Sequence, residues 1–581
     1  MTNGEEHHAQ PDRDPWREVI PSCTVARAGA RDQVAVHVRH GDEAVLTLTA
    51  LRAPNVDAAP LKGDAGIELP QLDVWHEPRQ IGDELIGRAT FEIPADTAAG
   101  YYRAELISDT RSAAGLVLLT PAPADEMRRE WGLSVDLPQL RSRRSWGIGD
   151  LGDLGELAVL AASWGADFIY ARPDSWRTLR FEGEAEAPEN FISDHVRSRY
   201  LPPALLRLEE IPELSYLSAP DRALIEWEAE EFAKLNAQHQ ALPVGEVIAA
   251  KAASLDLICT VELSPARQLE FEAFIAREGQ SLADFALWAA IAQRCGRTGE
   301  QWPEDAAEPD AFGARRARDE LESEIANHQR YQWYLFEQLA RAHHRARGAG
   351  MTLGIMRHVD WDASETEIDG VSDWFAAASG HQGPLLIAPH NAGENVNSLL
   401  GVLAIEAARK NVQVLLDVPH DSPLLEAAQA VGIPTTVALQ LGASMPHNQL
   451  LQISTPLDIP LANYLAEEFS DQLPTDFDEE QAQELLRRAR ATHDQAVRKL
   501  SEAGLIDEDF SQRSLIEALH AWALASPSIW TEYRLRDIVG QRIWHREAAG
   551  HVQPLLDGFE APVLLDELDQ LPMLRSLLRR L

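Results

Sequence analysis

One stretch limits the fold of this chain more than any other. From Trp131, "WGLSVDLPQL" reads as a strand; "DLGELAVLAASWG" places apolar residues at i, i+3, i+4 and i+7 before a glycine stop; and "ADFIYARP" is a second short apolar strand. Strand, helix and strand in so short a span form a βαβ unit, which requires parallel strands and a right-handed crossover. Further strand candidates follow at "MTLGIMRHV", "GPLLIAPHN", "VQVLLDVPH", "IPTTVALQL" and "NQLLQISTP", with helices such as "NSLLGVLAIEAARKN" and "SPLLEAAQAVG" between several of them. This alternation predicts a (β/α)8-type TIM barrel running from residue 127 to 581. A strongly helical block, about 205–348, interrupts it, ending in the long amphipathic helix "QRYQWYLFEQLARAHHRARGAG".

The segment before the barrel has a different rhythm. Residues 23–122 carry short runs such as "QVAVHVRH", "AVLTLTAL", "LIGRATFEIP", "GYYRAELIS" and "AGLVLLTPA", separated by Gly, Pro and Asp. That pattern predicts an antiparallel β-sandwich. Residues 1–22, polar and aperiodic, are expected to be a flexible tail, with no apolar core of a secretory leader.

Charge narrows the partners. The chain carries 92 acidic and 52 basic side chains, a formal charge of −40. Nucleic acids and anionic membranes are both bound through Lys and Arg, so neither is expected as a partner. A neutral substrate such as a sugar is compatible with this charge. Cys23, Cys259 and Cys295 are far apart and form no CxxC, which fits a reducing cytoplasm and gives no zinc site. No cofactor motif is present: "WGIGDLGDL" is neither a dinucleotide fingerprint nor a phosphate loop, and its glycines fit a tight turn at a barrel mouth.

Trp131–Asp153, containing "RSRRSWGIGDLGD", resembles the opening barrel strand and loop of the 4-α-glucanotransferases (amylomaltases, or disproportionating enzymes). "SRYLPPALLRLEEIPEL", "YQWYLFEQLARAHHRARGAGMTLGIM", "NSLLGVLAIEAARKNVQVLL" and "PLDIPLANYLAEEF" resemble later segments of the same family, and the sandwich resembles an extension of its bacterial members. The resemblance implies action on α-1,4-glucans or maltodextrins by retaining glycosyl transfer. That chemistry needs a carboxylate nucleophile and a carboxylic acid/base about 5 Å apart, here with a third, stabilising carboxylate.

Placed on the family's motifs, these groups are largely missing. The nucleophile of an Arg-Ile-Asp-His motif falls on Ala388 in "LLIAPHN", with Leu386 at the Arg and Pro389 at the His. Only the 24 residues 360–383 stand where the family carries a long substrate-binding excursion. The acid/base glutamate falls on Asp417 in one register and on a leucine in the next. The stabiliser falls on Leu457, with Asp458 one residue away and so on the opposite face of a strand. The acceptor loop with its tyrosine is replaced by "NFISDHVRSRY".

Asp417 is therefore a candidate acid/base remnant, or a loop aspartate capping the next helix. Asp458 is a weaker candidate for a remnant of the stabiliser. Trp146 and Asp150 are candidate substrate contacts, with core packing the competing role for the tryptophan. His358, Asp360 and Asp362, and likewise Asp417, His420 and Asp421, match no standard metal spacing and read as solvated loop polarity. Two functions remain open: an α-1,4-glucan transferase with a rebuilt site, or a pseudoenzyme that binds glucan or serves as a protein scaffold.

Overall fold

In the computed structural model, the βαβ unit at Trp131–Pro173 opens a closed barrel. The structure describes residues 15–61, 66–122, 128–173, 179, 187–188, 191–236, 244–299, 301–364, 366–391, 393, 395–419, 422–439, 449–453, 461–466, 479–507, 509–540 and 564–579. Among these, eight parallel strands close in sequence order: β9 (Glu130–Val135), β10 (Phe168–Ala171), β11 (Gly354–Asp362), β12 (Leu385–His390), β13 (Val414–Leu416), β14 (Thr435–Ala438), β15 (Gln449–Gln452) and β16 (Trp530–Arg534), the last pairing back to β9. The first seven lie where the sequence places them. The eighth falls in a region that shows only an apolar–polar mixture on its own.

Side chains alternate along each strand, so one set faces the lumen and the other the surrounding helices. Phe168, Tyr170, Met356, Leu386, Leu415, Leu450 and Trp530 fill the lumen. Their neighbours, such as Leu133, Val135, Val359, Trp361, Ile387, Leu416, Leu451 and Tyr533, pack outward against helices.

The helix Leu151–Ser163 that joins β9 to β10 starts with a capping box. The Asp150 side chain accepts from the Asp153 N–H, and Asp153 reciprocates. Glycines fit this turn for steric reasons. A Cβ at Gly149 would collide with the carbonyl oxygens of Leu137 and Leu140, and one at Gly152 with the Arg207 guanidinium. Between β10 and β11 lies the helical block, including Ala219–Ala233, Val244–Cys259, Pro265–Thr298 and Glu322–Gly348. No described helix is long and apolar enough to cross a membrane.

The N-terminal segment folds as two facing sheets. One has the order β1 (Cys23–Arg27), β8 (Ser112–Thr120), β7 (Gly100–Ser108), β3 (Ala44–Leu51) and β4 (Ile67–Glu68); the other is β2 (Gln33–Arg39), β6 (Glu84–Glu92) and β5 (Arg79–Ile81). Pairing is antiparallel except for β1, which runs parallel to β8 and carries no clear alternation in the sequence. Most of the expected tail lies outside the described residues, but its last part is folded: Ile20 is buried, and Trp16 packs at a tilt against His37 with ring centroids 4.8 Å apart. The sandwich docks on the barrel through a shared core. Leu116, Leu118 and Tyr101 pack with the helix Val396–Lys410, the Tyr101 hydroxyl donates to Glu406 at 2.7 Å, and the Arg409 guanidinium lies over the Tyr101 ring.

Candidate active site at the barrel mouth

Catalytic groups of α/β barrels stand at the C-terminal ends of the strands. Continuing the alternation beyond the apolar floor gives the side chains that face the lumen there: Asp136 after β9, Arg172 after β10, His358 and Asp360 on β11, Ala388 and His390 on β12, Asp417 after β13, Thr436 on β14, Gln452 on β15, and Glu532 and Arg534 on β16. The mouth is thus a ring of charged and amide side chains over an apolar base.

Its members are paired. His390 Nε2 lies 3.2 Å from Asp360 Oδ1. His358 Nε2 lies 3.7 Å from Asp417 Oδ2, and the Thr436 hydroxyl donates to the other Asp417 oxygen at 2.7 Å. Gln452 donates to Glu532 at 2.7 Å. Asp136 sits between Arg172 at 3.7 Å and Arg536 at 3.5 Å. Burial alone would raise the Asp417 carboxyl. The His358 and Thr436 contacts, with Arg172 adding its charge, outweigh it and hold Asp417 below the usual aspartate range.

The register fixes where Ala388 stands. Asp360 on β11 is level with Ala388, and Ile387 is level with Leu416, so Asp417 is level with Ala388 on the other side. Its backbone N–H donates to the Ile387 carbonyl at 2.7 Å. A methyl group therefore faces the lumen between two flanking aspartates, whose backbones stand two strand spacings apart, about 10 Å. One helix, Val371–Ala378, occupies the interval between β11 and β12.

The sequence candidates fare unequally. Asp417 faces the lumen and caps no helix, since the next helix begins after Pro423. Asp458 lies outside the described residues, as do His420 and Asp421. Trp146 is 1% exposed; its indole N–H donates to Glu209 at 2.8 Å and its ring stacks on Phe232, leaving no open face for a sugar. Asp150, equally buried, caps the first barrel helix and binds Arg207 at 2.9 Å. Both positions hold the loop together from inside the core. His358 and Asp360, expected as loop polarity, are instead buried strand residues of the mouth. Among the described residues no cluster of three or more His, Cys, Asp or Glu side chains is arranged to hold a metal ion.

Glu532, Arg534 and Gln452 were not singled out by the sequence. Their strands are short, and the available signal was the run of strand formers Ile529, Trp530, Thr531 and Tyr533.

Known proteins place this architecture. A family model described as 4-alpha-glucanotransferase matches residues 135–360, and one for the MalQ N-terminal beta sandwich domain matches residues 19–121. The 4-alpha-glucanotransferase of Mycobacterium tuberculosis (strain H37Rv) is 36% identical over 351 residues, 59% of this chain and 47% of that protein. The protein of the same name from Haemophilus influenzae is 34% identical over 79 residues, 13% of this chain and 11% of that one. The chain's match thus spans about half the length of the mycobacterial relative. In fold, the crystal structure of amylomaltase from Corynebacterium glutamicum superposes with a TM-score of 0.62 at 22% identity, covering 97% of this chain and 90% of that one. Amylomaltase from Streptococcus agalactiae, solved with acarbose, gives 0.51 at 10% identity, covering 78% and 98%. Shared sandwich, shared opening barrel strands and a common barrel agree: the chain belongs to the amylomaltase family of 4-α-glucanotransferases, in the form that carries an N-terminal β-sandwich.

Proposed function

We propose that this chain is a cytoplasmic glucan-binding pseudoenzyme of that family, which no longer performs retaining glycosyl transfer. The observation that carries this is Ala388. At the end of the fourth barrel strand its methyl group faces the lumen between Asp360 and Asp417, where a nucleophilic carboxylate would have to stand. A methyl group cannot attack an anomeric carbon. Asp417 does not supply the second role either. Held below the usual carboxylate range, it is ionised at neutral pH and has no proton to give a leaving oxygen. The family match ends at Asp360, short of the strands on which these groups would stand.

What remains at the mouth is a lumen rimmed by paired carboxylates, arginines, histidines and an amide. Such a rim suits hydrogen bonding to sugar hydroxyls, and a neutral glucan does not oppose a net charge of −40. Incubation of the purified chain with maltotriose is expected to give no glucose and no longer maltodextrins above a protein-free blank. A ladder of products that disappears in Asp417→Asn would establish an active, rebuilt site and sink this reading.

A further inference from the structure

A second cavity, of about 710 Å³, opens on the opposite, N-terminal face of the barrel, beside Pro121 and Ala122 at the end of the sandwich. Its size lies within the roughly 300–1,000 Å³ of small-molecule sites. Because barrel catalysis is confined to the other end, it is not part of the mouth. Three features of its wall define what it can hold.

First, among the described residues no Asp or Glu lines it. Second, the C-terminal ends of three helices converge on it: His343 and Arg347 from the last turns of Glu322–Gly348, Ala404, Ala407 and Ala408 from Val396–Lys410, and Val431 with its cap Gly432 from Leu424–Val431. Helix C-termini carry partial negative charge and disfavour an anion. Third, neutral donors and acceptors are present. Gln382, Asn411 and Gln413 supply amides. His343 Nδ1 accepts from the Ile355 N–H at 3.2 Å, so its ring proton lies on Nε2, where no described residue accepts it. The ring is only 6% exposed, and burial keeps it neutral. Apart from Thr352, Gly383 and Gly432, the rest of the wall is Ala, Val, Leu, Ile and Pro, suited to the C–H face of a pyranose ring.

We propose that this cavity binds a neutral, hydroxyl-rich ligand, a short saccharide, at a site separate from the barrel mouth. A saccharide hydroxyl can donate to helix-end carbonyls and accept from Arg347, His343 and the amides. The assignment rests on this wall alone and does not depend on the mouth retaining affinity.

Calorimetric titration of the full chain with maltotriose tests it, using three variants. Ala408→Trp fills the cavity from an exposed helix position; Arg347→Met removes donors from an exposed side chain; Asp417→Arg blocks the mouth. The expected wild-type stoichiometry is two. Ala408→Trp is expected to lose one site, Arg347→Met to weaken that site about tenfold, and Asp417→Arg to lose only the other. A stoichiometry of one that is lost in Ala408→Trp and kept in Asp417→Arg would support the cavity and reject the mouth. Unchanged binding in both Ala408→Trp and Arg347→Met would overturn the cavity proposal. So would displacement of bound maltotriose by inorganic phosphate, which would assign the cavity to anions.

Discussion

Replacing Arg207 with methionine is expected to cost about 3–5 kcal/mol of folding stability, the usual loss when one partner of a buried charge network is removed. Arg207 is 1% exposed and serves three carboxylates of the first barrel helix: Asp150 at 2.9 Å, Asp153, and Glu156 at 2.9 Å. Its backbone is tied as well, through both amide bonds to Gln338 at 3.0 and 2.8 Å. Methionine preserves much of the volume, so the loss reports charge and not a cavity. Without the guanidinium, Asp150 and Asp153 face each other out of water, with Lys251 Nζ at 4.0 Å as the nearest remaining cation and already donating to two carbonyls. Burial and the neighbouring Asp150 already raise the Asp153 carboxyl to about 7 even with Arg207 present. The deficit should therefore be larger at pH 8 than at pH 6, where a shared proton relieves the pair. Urea unfolding at both pH values measures it. A loss under 1 kcal/mol, or one independent of pH, would show that the network is not what holds the "RSRRSWGIGDLGD" loop to the helical block.

That network also shows what a sequence conceals. Only part of the local half was legible: the glycines marked a tight turn, whereas Asp150, a candidate substrate contact in the sequence, proves to form a capping box with Asp153. The other half comes from Arg207, on the far side of β10, and no spacing rule connects it to Asp150. The same divide explains Trp146. In the sequence a tryptophan in a mouth loop reads equally as a sugar platform or as packing; only Phe232 and Glu209, brought in by the helical block, decide for packing.

At the active-site end, single-strand patterns sufficed for the floor and failed for the rim. Runs such as "GPLLIAPHN" and "VQVLLDVPH" announce buried strands, and they put Ala388 and Asp417 at strand ends. The candidate strand "MTLGIMRHV" already contains His358 but stops short of Asp360, because polar residues at the end of an apolar run look like the start of a loop. Nor could such runs show that Asp360, Ala388 and Asp417 are level, since that depends on register between strands joined only through hydrogen bonds. Strand β16 was missed for a related reason. Of its lumen-facing residues only Trp530 is apolar, and Glu532 and Arg534 are charged, so the alternation carries little hydrophobic signal toward the barrel axis.

Lowering the pH from 7.5 to 5.5 is expected to remove about 2–3 kcal/mol of folding stability, and four buried histidines are the cause. His328, His343, His381 and His520 are each nearly inaccessible to water. Burial holds His328 and His343 down to about 4 and pushes His381 and His520 below the ordinary histidine value. Cationic neighbours act in the same direction on three of them: Arg297 for His328, Arg347 and His344 for His343, and Arg357 for His381. Asp256 near His328 and Asp537 near His520 oppose the shift without reversing it. The native state keeps these rings neutral while the unfolded chain protonates them near 6.5, so the unfolded state binds more protons and stability falls as the pH drops below that value. At pH 5.5 each of His328, His343 and His381 contributes a loss of about 1.4 kcal/mol, about 4 kcal/mol together, and His520 adds to it in the same direction. Asp153 works the other way. With its carboxyl raised to about 7, the native state takes up a proton that the unfolded chain does not, returning about 2 kcal/mol at the lower pH. The balance still favours loss. Guanidinium unfolding midpoints at the two pH values test it, and a midpoint that holds or rises at pH 5.5 would refute it. His328→Gln should remove about 1.4 kcal/mol of the histidine contribution, because glutamine cannot be protonated and keeps a hydrogen-bonding group facing Gln293, to which His328 Nε2 now lies at 3.2 Å.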